Sequence, residues 1–257
     1  MIYIDKYAYM SKLRQKDPMY KLIFAIITLG VGLWANSVVT SLLIIVIMSW
    51  YTVRKGGIPL TIFIRLMMLP MAFLVIGVLI IGINVSEDIN IFLAYIPVFG
   101  THIGVSLSGL QHGIIIFFKS LAAVSCLYFL ALNTPMVDIL NTLARLKIPK
   151  LFIELMGLIY RFIFVLLETV DTMFTAQKSR MGYASFSSGY RSLAALAATL
   201  FVRSYKRAGD LYTALEARGY EEEINVLAEP FETGKTQYTG PIFINILLVL
   251  ITLLFKT

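Results

Sequence analysis

Apolar residues in this chain gather into long runs instead of alternating, or marking one face, as they do in soluble elements. The runs cover residues 22–35, 38–53, 66–83, 110–132 and 241–255. Uninterrupted apolar stretches approaching 20 residues match the roughly 30 Å hydrocarbon core of a bilayer. The first two runs are separated only by Asn36 and Ser37, so they form one overlong helix or a tight hairpin. The flanks decide: Lys16 and Lys21 precede the pair, and Arg54 and Lys55 follow it. Basic residues gather on the cytoplasmic side of membranes, so both flanks are placed there and a hairpin is predicted. Pro70 is read as lying near the start of the third span, where proline is easiest to accommodate. Residues 84–108 hold Glu87 and Asp88 but no lysine or arginine, which predicts an external connection.

Residues 133–239 have a different pattern, too charged to be all lipid-exposed and too apolar for a free loop. Thr134 and Pro135 read as N-cap and first residue of a short helix ending near Leu146, with Asp138 near its positive end and Lys147 near its negative end. Pro149 opens a second helix running to about Arg180, about 45 Å long at 1.5 Å per residue. Its first half is apolar (Leu151, Phe152, Leu155, Leu158, Ile159, Phe162), and its second half carries Glu168, Asp171 and Lys178. A third helix is predicted from about Leu193 to Arg218. There Leu193, Leu196, Leu200, Leu211 and Leu215 form a stripe opposite Arg203, Lys206, Arg207, Asp210 and Glu216. The two long helices are expected to pack along their apolar stripes. The domains read as residues 1–132 with four spans, a cytoplasmic region 133–239 and a last span in 240–257.

Composition sharpens the picture. Only 14% of residues are charged and 58% are hydrophobic, with a mean hydropathy of +0.81. Soluble domains carry about 25% charged residues, so much of this surface faces lipid. The net charge of +7 would suggest nucleic acid in a soluble chain. Here the basic clusters all fall on one side of the membrane, so no nucleic-acid partner is expected. The basic segment 1–21 is long and several apolar runs follow it, so it is read as a retained cytoplasmic segment and not a signal peptide. Cys126 is the one cysteine; alone it forms no internal disulfide or thiolate cluster, and it reads as a small packing residue.

The candidate chemistry lies at two helix ends. The second helix closes with Ser179, Arg180, Met181, Gly182 and Tyr183, and the third with Ala217, Arg218, Gly219 and Tyr220. In each, an arginine in the last turn is followed by a glycine able to take the left-handed conformation of a helix stop. Two readings stand side by side. One is a well-capped helix end, where arginine suits the dipole. The other is a plug for an acidic groove, since guanidinium bonds carboxylate in bidentate fashion. Lys119 lies in the fourth span, where an ionisable residue meets a partner or an internal carboxylate, or else snorkels from a span that starts later. His102 and His112, ten residues apart with no carboxylate between them, make a weak metal site. Met67, Met68 and Met71 read as gap-fillers, and Glu221, Glu222 and Glu223 as a solvated turn.

The chain resembles the transmembrane T component of energy-coupling-factor transporters, in its CbiQ-like, cobalt-type branch. The resemblance is carried by Ile4, Asp5, Lys6, Tyr7, Ala8 and Tyr9 with Ser11, Leu13, Pro18 and Lys21. It continues through Thr134, Pro135 and Asp138, the stretch 143–149, Tyr160, Arg161 and Phe162, Glu168 and the two arginine ends, so it spans nearly the whole chain. The family's coupling motif is Ala-Arg-Gly, present twice; Ala217, Arg218 and Gly219 match it, whereas Ser179, Arg180 and Met181 keep only the arginine. The resemblance implies an all-α integral membrane protein with about five transmembrane helices and long cytoplasmic coupling helices. It implies a multi-pass subunit of the cell membrane, N-terminus in the cytoplasm, non-catalytic and without a cofactor. ATP and Mg would sit on two cytoplasmic, CbiO-like ATP-binding subunits docked at the arginine ends. Their motion would pass to a substrate-binding S component, CbiM-like, with or without a CbiN-like piece, and Lys119 would face it. Consistently, no G-x-x-x-x-G-K-[ST] loop occurs. Cobalt is the favoured substrate, nickel is next, and vitamin import stays open.

Two other classes fit less well. An intramembrane enzyme needs clustered acids or histidines within the bilayer, and the spans hold no acid pair and no His-x-x-x-His. A secondary transporter tends to show inverted repeats and broken helices at the midplane, and no such repeat is visible.

Overall fold

A computed structural model describes residues 3–86, 92–98, 101–219 and 236–254. They divide into two units, residues 136–219 in one and residues 3–135 with 236–254 in the other. Glu87, Asp88, Tyr220, Glu221, Glu222, Glu223, Lys235 and Phe255 lie outside the described residues.

The larger unit is helical, as its apolar runs dictate. It comprises α1 (Tyr3–Met10), α2 (Pro18–Trp34), α3 (Val38–Trp50), α4 (Leu60–Gly82), α5 (Leu107–Asn133) and α9 (Thr236–Leu254). Asp17 caps α2 by accepting the Met19 N–H at 3.0 Å, and Pro18 follows as first helical residue. The first two runs form a hairpin, α2 and α3 joined through Ala35, Asn36 and Ser37. α3 runs straight into a π-helical turn, Tyr51–Lys55, closed by the Gly56 N–H on the Tyr51 carbonyl at 2.9 Å. Among the described residues, three helical stretches are long and apolar enough to cross a membrane: Val38–Lys55, Leu60–Gly82 and Leu107–Asn133. α2 and α9 are apolar but shorter.

Three features differ from the sequence expectation. The third span starts six residues earlier, at Leu60 behind Pro59, so Pro70 sits inside α4. Proline lacks the N–H that would bond the carbonyl four residues back; that carbonyl, on Leu66, instead accepts the Tyr128 hydroxyl from α5 at 3.2 Å. Neighbouring side chains that re-satisfy freed backbone are what make proline tolerable in a membrane helix. α5 likewise begins earlier, at Leu107, capped by the Ser106 hydroxyl on the Gly109 N–H at 3.1 Å. The connection between α4 and α5, read as an external loop, contains a small antiparallel sheet of β1 (Ile83–Ser86), β2 (Phe92–Val98) and β3 (Thr101–Ser106). Its order is β1-β3-β2, with Ser86 opposite His102 and Val98 opposite Thr101. Pro97 falls in β2, an edge strand, where a missing donor is tolerated.

α5 is the central helix and packs on α1, α2, α3 and α4. One core cluster joins Phe24, Ile44, Met48, Tyr51, Ala122, Cys126, Phe129 and Leu248; a second joins Ile58, Phe63, Met67, Leu121 and Leu132. Cys126 is wholly buried in the first, as expected of a packing residue. α9 is fastened by polar pairs: the Thr28 hydroxyl donates to Asn245 Oδ1 at 3.1 Å, and Thr40 and Thr252 hydroxyls lie 3.2 Å apart.

At the end of α5 lies a polar node that the run pattern does not announce. Lys21 is fully buried, and its Nζ donates to the Leu13 and Asn133 carbonyls, both at 3.1 Å. A cation at the last carbonyls of a helix is favoured by the dipole. The Asn133 side chain accepts from the Ser11 hydroxyl at 2.8 Å and donates to the Phe129 carbonyl at 2.8 Å. Gly56 lies so close that a Cβ there would overlap the Asn133 side chain and the Thr52 carbonyl. Its own carbonyl accepts the Lys12 N–H at 3.0 Å. The segment before α2 is thereby stitched to α5 and to the end of α3.

The second unit contains α6 (Met136–Arg145), α7 (Lys150–Ser179) and α8 (Phe186–Ala217). α8 starts seven residues before the predicted third helix, capped by Ser185 on the Ser188 N–H at 3.2 Å. The expected packing of the two long helices along their stripes is not what forms. No residue of α7 is buried, and in α8 only Leu196 is. The hydrogen bonds between them cluster at their connecting turn, because that turn supplies the paired polar groups.

Candidate functional site: two arginine-ended helices

Each helix of the second unit stops the same way. At α7, Arg180 is the C-cap with φ −96° and ψ 19°, and Met181 follows in the left-handed region at φ 59°. The Met181 N–H bonds the Lys178 carbonyl at 3.1 Å and the Gly182 N–H bonds the Gln177 carbonyl at 2.9 Å. These two bonds define a Schellman stop. At α8, Arg218 is the C-cap with φ −95° and ψ 7°, Gly219 follows at φ 70°, and its N–H bonds the Glu216 carbonyl at 3.0 Å. α6 closes with the same pair of bonds: Lys147, at φ 60°, to Ala144 at 3.1 Å, and Ile148 to Leu143 at 3.5 Å.

The two arginines therefore share one backbone geometry despite different neighbours. The left-handed residue of the first end is Met181 and not the glycine, which corrects the sequence reading. A non-glycine residue in this region costs about 1–2 kcal/mol. Gly182 is needed for a different reason. A Cβ there would meet the Gln177 carbonyl and the Ser192 hydroxyl, each at 2.8 Å.

The first end is held firmly. The Gly182 carbonyl accepts the Ser188 and Ser192 hydroxyls at 2.9 and 2.8 Å. Gln177 donates to the Ser192 carbonyl at 3.0 Å and accepts the Tyr183 hydroxyl at 2.7 Å. The Tyr183 ring lies 4.8 Å from that of Phe174. The Ser179 hydroxyl turns back to the Thr175 carbonyl at 3.0 Å. The second end is open: nothing lies within 4 Å of a Cβ built on Gly219. Nearly two turns before Arg218, the Tyr212 hydroxyl donates to Glu216, whose bond and charge raise the phenol pKa above its ordinary value.

Ser179, Arg180, Met181, Ala217, Arg218 and Gly219 are all exposed. Neither guanidinium has an ion pair or hydrogen bond among the described residues. α8 separates the two ends by its own length, 32 residues, or about 48 Å at 1.5 Å per residue.

Lys119 lies twelve residues into α5, and its Nζ donates to Asn36 Oδ1 at 3.0 Å, in the α2–α3 connection. Its partner within this chain is an amide, not the carboxylate considered above. His102 falls in β3. His112 is exposed, with Nδ1 2.8 Å from the Ser108 carbonyl. Among the described residues, no three of His, Cys, Asp and Glu gather as metal ligands. Lys21, Asn133 and Gly56 are structurally important residues that the sequence left unremarked, beyond Lys21 as a basic flank and as one of the residues carrying the resemblance. The signal that could have found them is a lysine, an asparagine and a glycine at the ends of three apolar runs.

The fold defines a helical integral membrane protein whose second unit presents bare helix ends. The chain belongs to the CbiQ family: the family model described as cobalt transport protein matches residues 10–226. It is 32% identical to the cobalt transport protein CbiQ of Salmonella typhimurium, over 87% of this chain and 99% of that one. A fused cobalt transport protein CbiMQ of Methanocorpusculum labreanum is 25% identical over 90% of this chain and 38% of its own length. The energy-coupling factor transporter transmembrane protein EcfT of Streptococcus equi is 28% identical over 82% of this chain and 80% of that one. The chain is thus a transporter membrane component, of a kind associated with other transporter subunits.

Proposed function

We propose that the chain is the membrane-embedded coupling (T) subunit of an ATP-driven energy-coupling-factor importer for cobalt ions, set in the cell membrane with its N-terminus in the cytoplasm. Two CbiO-like ATP-binding subunits carry ATP and Mg, one docked at Arg180 and one at Arg218. Their motion passes through α7 and α8 to a CbiM-like S component. The observation that carries this reading is the pair of exposed, unpaired arginines in one backbone geometry at opposite ends of α8. Bidentate guanidinium–carboxylate bonding is the chemistry such ends offer to an acidic groove, and ends about 48 Å apart suit two separate subunits.

The test is substitution of each tip, with ATPase binding and cobalt uptake measured on the assembled complex. Removing one partner of a desolvated charge pair costs about 2–5 kcal/mol, or about 30- to 3,000-fold in affinity. Arg218→Ala should therefore abolish uptake and weaken ATPase binding while the chain still inserts. Arg180→Ala should do the same less severely, and Arg218→Lys should rescue poorly because ammonium lacks the planar fork. Full binding and uptake in both alanine variants would leave only a helix-capping role. Lys119, held by Asn36, is assigned to the S-component side. Lys119→Leu should reduce S-component co-purification and spare ATPase binding; unchanged assembly would remove that assignment.

A further inference from the structure

A groove of about 590 Å³ runs between α2 and α9. Tyr20, Ile27 and Val31 line it from one face of α2, and Ile242, Ile246 and Leu250 from one face of α9. Ile27, Ile242, Ile246 and Leu250 are 45–54% exposed, so the groove opens outward. Two side chains with polar atoms, Tyr20 and Asn245, stand in its wall and both are buried, Asn245 committed to the Thr28 hydroxyl at 3.1 Å and the Pro241 carbonyl at 2.9 Å. The volume is in the range of small-molecule sites, about 300–1,000 Å³, and on a membrane-spanning unit an apolar opening faces acyl chains. The two helices around it are 17 and 19 residues long. That makes them about 25 and 28 Å long, against a hydrocarbon core of about 30 Å.

One end of the groove has a basic and aromatic collar. Tyr51 marks this end. Its ring lies 5.1 Å from that of Phe24, and its hydroxyl is 4.0 Å from where a Cβ on Gly240, beside Pro241, would stand. The π-helical turn that follows carries Lys55, whose ammonium sits 4.5 Å over the Tyr51 ring and 5.2 Å over Trp50. Arg54 and Lys55 are exposed, and Lys16 lies two residues before α2. Asp17, one residue before α2, is buried in its cap to Met19. Tryptophan, tyrosine and lysine together are interface chemistry, and basic pockets between membrane helices select anionic headgroups.

We propose that this groove binds one anionic glycerophospholipid, an acyl chain lying between α2 and α9 and the phosphate meeting Lys55, with Arg54 and Lys16 around it. The inference stands apart from the coupling assignment. To test it, the full chain with its partner subunits is reconstituted in mixed phosphatidylglycerol–phosphatidylcholine vesicles, extracted, and its retained lipid identified by native mass spectrometry. One phosphatidylglycerol should be retained in preference to phosphatidylcholine. Lys55→Gln should cut that preference about five-fold, the worth of one basic residue at an anionic surface. Ile246→Trp, which fills the groove, should expel the lipid without lowering thermal stability. Equal retention of both lipids by the parent chain would overturn the headgroup site, and retention by Ile246→Trp would overturn the groove. A photo-crosslinker at Ile246 that captures a subunit in place of lipid would reassign the groove to protein docking.

Discussion

Phe24, Ile44, Met48 and Phe129 are completely buried where α2, α3 and α5 meet, whereas α7, longer than any of these, buries nothing. Along α7 the residues Phe152, Leu155, Ile159 and Ile163 follow one helical face and are 38–61% exposed. Along α8, Phe186, Tyr190, Phe201 and Tyr205 are 72–95% exposed. The membrane unit also shows bare apolar side chains, such as Leu69 and Phe73, but around a filled interior and toward lipid. In the second unit the buried side chains are few, Asp138, Leu140 and Thr142 on α6 and Leu196 on α8. Exposed apolar stripes of this extent mark interaction surfaces, which agrees with helices completed by other subunits. One region is held by a filled core; the other is held by its helix stops, the contact of α6 with α7 and the hydrogen-bonded turn between residues 177 and 192.

The arginine substitutions above separate the regions most sharply, since they should alter partner binding by orders of magnitude and leave the membrane unit untouched. Next in size is Lys21→Met, which strips a donor from the Leu13 and Asn133 carbonyls. The Leu13 carbonyl keeps the Lys16 N–H at 3.2 Å, so the Asn133 carbonyl is the group left short. An orphaned group costs about 1–3 kcal/mol, and thermal unfolding of the purified chain should shift down by about that much. An unchanged transition would mean the node is not what fastens the segment before α2.

Gly182→Ala should cost about 1–3 kcal/mol, the range for forcing atoms into an occupied space. Because the damage is local, amide exchange should quicken between residues 177 and 192 and stay as before in α5. The smallest effect concerns the left-handed positions. Gly219→Ala meets no atom, so its cost is the backbone term alone, about 1 kcal/mol. Met181→Gly should release strain and gain up to about 1 kcal/mol. Equal responses at both sites would contradict the difference between a strained and an unstrained stop.

Much of this molecule was legible in its residues. The five apolar runs fall on α2, α3, α4, α5 and α9, because span length is dictated by bilayer thickness and needs no knowledge of neighbours. The long helix opening at Pro149 and closing at Arg180 was read nearly to the residue, since a proline start and an arginine-glycine stop are local signals. The sheet in residues 83–106 was not seen. Its strands are four to seven residues long, and pairing between segments, not any one segment's pattern, makes them strands. Pro70 was misplaced because the group that excuses it, the Tyr128 hydroxyl, lies 62 positions along the chain from the Leu66 carbonyl it bonds.

At the candidate site the division is finer. The sequence by itself settled which residues end the two helices and that each carries an arginine, because capping chemistry is written within five residues. Only the tertiary structure decided that Met181 takes the left-handed conformation, that Gly182 serves close approach to Gln177 and Ser192, and that Lys21 is buried against Asn133. Those outcomes depend on which backbone groups distant segments bring near, and a linear pattern carries no record of that proximity.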